Sequence, residues 1–124
     1  EARKYACVCA EMPFCLEQVY GDKKYLNGAI DLLATNPKST EAFVVDYKTG
    51  DKNLTPEEII ESHRMQANFY AFVLMQRGYT KVTCAFVCVE VPDSADEKQP
   101  FVARYSFDEH RKPTLLGWEV REHV

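Results

Sequence analysis

No run of apolar residues in this chain is long enough to cross a bilayer. The longest, Phe69-Tyr-Ala-Phe-Val-Leu-Met75, spans seven residues, against the roughly 20 that a membrane helix needs. No secretory leader is expected either, because the opening Glu1-Ala-Arg-Lys4 lacks a following apolar h-region of the usual length. Paired C-x-x-C spacing is also missing. The five cysteines fall into two distant groups, Cys7, Cys9 and Cys15, then Cys84 and Cys88. That spacing argues against a zinc site, and no iron–sulfur cluster is expected, since either needs clustered thiolates. Odd in number and set in apolar runs, the cysteines read as reduced core thiols of a cytoplasmic protein without membrane partners. Excess basic charge is absent as well. With a net charge of −4, any grip on a phosphate backbone must come from a local patch, bound metal ions or a larger assembly.

What remains is a globular composition. A chain of 124 residues, 46% hydrophobic, with 7 Phe, 7 Tyr and 1 Trp, fits one domain around one core. Residues 1–124 are expected to be a fragment of a longer polypeptide, since the first residue is Glu1 and not Met.

Along the chain, residues 5–20 alternate weakly and contain Met12-Pro13, which predicts one broken or edge strand because Pro lacks a ladder donor. Gly21-Asp22-Lys23-Lys24 signals a hairpin turn. Tyr25 to Ala34 reads as a strand, with Gly28 as a bulge or point of close approach. A second turn at Asn36-Pro37-Lys38-Ser39-Thr40 leads to a strand from Ala42 to Thr49. Thr55-Pro56-Glu57-Glu58 is a capping box with Pro in the first turn. It predicts a helix to about Arg77, stopped by Gly78, with a break near Ser62 as an option. Lys81 to Val91 is almost wholly apolar, as in a strand buried on both faces. Residues 92–100 form a loop, Phe101 to Phe107 a last strand, and the tail after Asp108 is ambiguous. The strand–helix–strand order implies an α/β sheet with a parallel, right-handed crossover.

The chemistry concentrates in Gly28-Ala-Ile-Asp31 and Val44-Val-Asp46-Tyr-Lys48-Thr-Gly50. Side chains alternate along a strand, so Asp46 and Lys48 share one face while Val45 and Tyr47 share the other. If the preceding turn is centred between Lys38 and Ser39, Asp31 lies opposite Asp46 and Ala29 opposite Lys48. Facing carboxylates repel unless one is protonated or a cation sits between them. Mg²⁺ suits such an oxygen cage. A register slip of one residue would put Asp31 on the wrong face. Spacing alone serves equally for an exposed cluster of surface charge.

The two segments resemble a known family. Gly28-x-Ile-Asp31, followed after fourteen residues by Asp46-Tyr-Lys48-Thr, is similar to the signature of the RecB-like branch of the PD-(D/E)XK nucleases. The likeness is strongest to the C-terminal nuclease domain of AddA-type helicase–nucleases. Glu11-Met-Pro-Phe14 and Gln66-x-x-x-Tyr70 match in order, so the resemblance covers residues 11–90. It implies an α/β, restriction-endonuclease-like mixed sheet flanked by helices. Asp31 and Asp46 would ligate Mg²⁺ (or Mn²⁺) with the backbone carbonyl of Tyr47. Lys48 would orient water and stabilise phosphate charge. Gln66 and Tyr70, one helical turn apart, would lie beside the site and contact Lys48 or DNA. His63 shares their stripe and reads as structural. An upstream Gly-x-x-x-His helix found in this branch has no counterpart before Glu11, so the first helix is expected to be lacking. Glu11 reads equally as a supplementary ligand or as an exposed acid.

The implied function is metal-dependent hydrolysis of DNA. It would be the exonuclease part of an ATP-dependent helicase–nuclease in double-strand-break repair, with helicase domains in the same polypeptide and a second subunit. Two readings compete: an inactive nuclease-like module for DNA binding or subunit contact, and an unrelated α/β binding domain.

Overall fold

The computed structural model of the protein describes residues 7–18, 25–36, 38–49, 53–88, 101–114 and 118–121. Among them, β1 (Cys7–Gln18), β2 (Tyr25–Thr35) and β3 (Glu41–Lys48) precede the helix α1 (Pro56–Gln76). After it come β4 (Lys81–Cys88), β5 (Val102–Phe107) and β6 (Trp118–Arg121). The strands form one mixed sheet in the order β5-β4-β3-β2-β1-β6. Only the β3–β4 pair is parallel, and α1 makes the crossover between them. This is the restriction-endonuclease-like α/β arrangement expected from the sequence.

Local chemistry explains the helix. The Thr55 side chain accepts from the Glu58 amide at 3.2 Å, and Glu58 accepts from the Thr55 amide at 3.2 Å. That exchange satisfies two of the donors a helix start leaves orphaned. Gly78 ends the run at φ 103°, a conformation that side chains resist. No break occurs near Ser62. Its hydroxyl donates to the Ile59 carbonyl at 3.0 Å and leaves the helix continuous.

The inner face of α1 buries Ile59, Ala67, Tyr70, Ala71, Val73 and Leu74 against Val44, Val82, Cys84 and Phe86 of the sheet. Each large apolar side chain removed from water there contributes about 1.5–3 kcal/mol. The opposite face carries a smaller cluster of Ala34, Phe43 and Ala85. β4 is thus covered by α1 on one face. On the other, Ala85 is buried, Thr83 and Val87 are half-buried and Lys81 is exposed, so the expected burial on both faces holds only in part. Among the described residues no helix is long and apolar enough to cross a membrane.

Of the two alternatives for β1, the broken strand holds and the edge strand is corrected, for β1 lies between β2 and β6. Pro13 pairs with Ala29 of β2, and the described β6 ladder begins two residues further on, at Cys15. Gly28 is not a bulge, for it pairs in step with Phe14. The interruption falls instead at Glu11, which is absent from the ladder with Asp31 and takes φ 54°. The ambiguous tail supplies β6. The turn at residues 21–24, residues 89–91 of the predicted strand and the loop at 92–100 lie outside the described residues.

Candidate active site

The β2–β3 hairpin has the register that places Asp31 across from Asp46. Leu32 pairs with Val45, Leu33 with Val44, Ala34 with Phe43 and Thr35 with Ala42. Pairing ends at Leu32, one step short of the two aspartates, so Ala29 and Lys48 do not form the expected pair. The Tyr47 amide donates at 3.3 Å to Asp31 Oδ2, so a carboxylate takes the amide at the point where the ladder stops.

The stop coincides with a change of face. Ile30 and Leu33 both join the core beneath α1, although residues three apart in a regular strand point to opposite sides. Ile30 pairs with Met12 and Leu33 with Cys9. Both strands therefore skip half a step between those pairs, at Glu11 and Asp31. A left-handed backbone at Glu11 lets β1 make that step.

On β3, Ala42, Val44, Asp46 and Lys48 follow one face, toward α1. Asp46 is 3% exposed and is the buried charged residue among those described. Its Oδ2 accepts from the Tyr70 hydroxyl at 2.7 Å, and that hydroxyl accepts from Gln66 Nε2 at 2.7 Å. Gln66 and Tyr70 thus lie beside the site as expected, but their chain of donors ends on Asp46 and not on Lys48. The Lys48 ammonium stands 3.4 Å from Asp46 Oδ1. That exceeds the roughly 2.7–2.9 Å of a tight charge-assisted bond, so the lysine is near the carboxylate without being locked to it.

Burial, first of all, raises the Asp46 pKa from 3.8. The Tyr70 hydrogen bond and the Lys48 charge oppose the rise, and the Asp31 carboxyl adds to it. Burial likewise raises the Tyr70 pKa, with the Asp46 hydrogen bond next. Tyr70 is therefore a neutral phenol and a firm donor.

Phe86 lies opposite Asp46 in the parallel β3–β4 ladder. His63 stacks on it at 5.2 Å and 11°, and Tyr70 at 6.2 Å and 8°. Residues seven apart stand about 10.5 Å apart along a helix, which leaves room for one ring between them. Phe86 fills that gap, and Lys48 Nζ lies 5.6 Å from its centroid. Sequence reasoning missed Phe86, whose signal was its register opposite Asp46. His63, read from the sequence as structural, rests its ring on Phe86.

A protein-family model of the PD-(D/E)XK nuclease superfamily matches residues 1–118. The chain belongs to that superfamily. No curated protein matches it. Among solved structures it resembles the crystal structure of SSO0001, at 22% identity and a TM-score of 0.46. The match covers 86% of this chain and 42% of that one.

Members of the PD-(D/E)XK superfamily typically use divalent metals. The donor set here fits one. Two carboxylates converge, and the buried one lies against an acidic neighbour that hinders its ionisation. A hard cation bound by one or two carboxylates, water and phosphate would relieve that conflict. Among the described residues no three His, Cys, Asp or Glu side chains gather into a metal site, so Glu11 does not join Asp31 and Asp46. Tyr47 turns its ring outward, 57% exposed.

Proposed function

We propose that this domain hydrolyses DNA phosphodiester bonds with Mg²⁺, Mn²⁺ substituting. It would act as the exonuclease part of a RecB-like, AddA-related helicase–nuclease in double-strand-break repair and recombination. One observation carries the reading: a buried carboxylate, Asp46, with Asp31 and Lys48 converging on it. Asp31 and Asp46, with the Tyr47 carbonyl, would hold the ion. The chemistry such an ion supplies when bound is Lewis acidity toward water and phosphate oxygens. Lys48 orients the attacking water and stabilises charge on the phosphate as the bond to the leaving oxygen breaks. Tyr70 and Gln66 keep Asp46 in place. The net charge of −4 supports helicase domains in the same polypeptide, and a second subunit, as the main grip on DNA. On this reading the enzyme works in the cytoplasm.

The test is cleavage of end-labelled single-stranded DNA with Mg²⁺ and with EDTA. Chelation should abolish cleavage, and Lys48→Ala should lower its rate about 10²–10³-fold, the effect of losing one transition-state donor. Equal rates for wild type and Lys48→Ala would refute the assignment.

A second reading has an observation of its own. Because no third ligand gathers with Asp31 and Asp46 among the described residues, the domain would serve as an inactive DNA-binding or subunit-contact module. Calorimetric titration with Mn²⁺ separates the two, since the inactive module gives no heat that Asp46→Asn removes.

A further inference from the structure

Two tyrosines of the core bury their rings and bond their hydroxyls. Tyr70 donates to Asp46 and Tyr105 to the Ile60 carbonyl, with only 2% and 8% of their surfaces exposed. Tyr47 does neither. It is 57% exposed, and among the described residues its ring stacks on no other and its hydroxyl has no partner. Alternation along β3 sets it on the sheet face away from α1, in line with Phe43 and Val45. There Phe43 packs with Ala34 and Ala85, and Val45 packs against them, but this apolar cover stops short of Tyr47.

The ladders set what borders the ring. On the β4 side, half-buried Val87 stands in register with it. On the β2 side, pairing has ended at Leu32 and Val45, and the Tyr47 amide goes to the Asp31 carboxylate instead. One flank of Tyr47 is therefore closed by a valine, and the other adjoins the opened ladder. The root of the side chain is held from both ends. Asp46, before it, is tied to Tyr70, and Lys48, after it, stands 3.4 Å from the same carboxyl group. Each of those Cα atoms lies about 3.8 Å from that of Tyr47.

An exposed aromatic face one residue from a phosphate site suits a nucleobase, because every base has a π-face to lay on it. In a duplex both faces of a base are covered by its neighbours in the stack, so the partner of Tyr47 is an unpaired base. A nucleotide whose phosphate lies by Asp46 and Lys48, on the α1 side, can pass over the open end of the β2–β3 ladder. That path brings the adjoining base to the outer face, where the Tyr47 ring stands. We infer that Tyr47 is a stacking platform for the unpaired base next to the phosphate that is cut, with single-stranded DNA straddling the end of β3. This rests on the nuclease reading for its substrate, but stacking and cutting fail separately.

The experiment is a cycle of protein and ligand variants, read by fluorescence anisotropy with the full chain in EDTA. Salt is kept at about 50 mM, low enough for phosphate contacts to stay strong. The ligands are labelled oligo-dT and a strand of equal length whose sugars carry no bases, so both present the same phosphates. Tyr47→Ser should weaken oligo-dT binding about 5- to 150-fold, the loss of one stacked base, and leave binding of the abasic strand unchanged. Tyr47→Phe, which keeps the ring face, should bind both strands as wild type does. Met65→Ser, which removes a side chain 68% exposed on α1, should match wild type too. The Tyr47 amide and carbonyl survive these changes, and thermal melts check that each variant folds. A Tyr47→Ser loss that is absent, or equal for the two strands, overturns the inference. So does Tyr47→Phe binding as weakly as Tyr47→Ser, or wild type that binds no oligo-dT or prefers a duplex of equal length. An equal loss on Met65→Ser would make the attraction a general one for apolar surface and also overturn it. A base-dependent loss at Tyr47 without Mg²⁺-dependent cleavage would sink the nuclease reading and leave the platform standing.

Discussion

Replacing Tyr70 by Phe removes one oxygen and little else. The ring is 2% exposed, parallel to Phe86 and edge-on to Phe14 at 5.9 Å, and a phenylalanine keeps those contacts. Lost are the 2.7 Å bond to Asp46 Oδ2 and the acceptor for Gln66 Nε2. Gln66 is half-buried and can turn toward water, but Asp46 at 3% exposure cannot. A hydrogen bond to a charged group contributes about 1.5–3 kcal/mol. Unfolding entropy near 2.1 cal/mol/K per residue implies roughly 260 cal/mol/K for a domain of this size, so a loss of about 2 kcal/mol lowers Tm by about 8 °C. Thermal melts of wild type, Tyr70→Phe, Asp46→Asn and the double variant close a double-mutant cycle. In the Asp46→Asn background the hydroxyl serves a neutral acceptor, and its removal should cost only about 1 kcal/mol. The same cost in both backgrounds would mean that Tyr70 stabilises the core and not the carboxylate. Because this hydrogen bond also holds the Asp46 pKa down against burial, Tyr70→Phe should shift the acid limb of any cleavage profile to higher pH.

Asp46→Asn should stabilise the domain at neutral pH. Burial raises the folded pKa above the ordinary 3.8, so the folded chain holds this proton more tightly than the unfolded one. Wild type then loses stability as pH climbs from 3.8 through the raised value, and a gap to the variant that stays constant over that window would refute the account. Thr55→Ala removes the helix cap and should cost about 1 kcal/mol in urea denaturation, while Thr55→Ser should cost far less; equal losses would deny the cap its role. Glu11, at φ 54°, predicts opposite outcomes for two substitutions. Glu11→Gly should hold or raise stability by up to about 1 kcal/mol, and Glu11→Val should lower it. Equal melting points would show the left-handed backbone to be of no consequence.

The parts of the fold legible in the sequence are those whose physics is local. The capping box at Thr55 and the stop at Gly78 bracket α1 because the atoms that satisfy its ends lie within five residues of one another. The β2–β3 register follows from a short turn, in which the Ser39 amide donates to the Asn36 carbonyl at 3.1 Å. Pro13 misled because its missing donor was read as an edge signal, whereas β1 pairs with β2 along one side and with β6 along the other. β6 escaped notice because only four residues, Trp118–Arg121, are strand there, too few to show a period.

The site was legible as a set of residues but not as a set of contacts, and the difference has one cause. Asp46 and Lys48 share a face by alternation alone, whereas the position of Phe86 depends on how far α1 carries the chain before β4 returns. The parallel pairing of Asp46 with Phe86, and the fit of that ring between His63 and Tyr70, are set by the length of the crossover. No local pattern encodes that length. Asp31 shows the same point from the other side. Continued one pair further, the hairpin would place it in an ordinary ladder opposite Asp46, and the two carboxylates would repel across a closed sheet. Instead the half-step at Glu11 opens the ladder at that position and gives the Tyr47 amide to the Asp31 side chain. A register read from sequence puts two acids together; the break in that register keeps the ladder from closing across them.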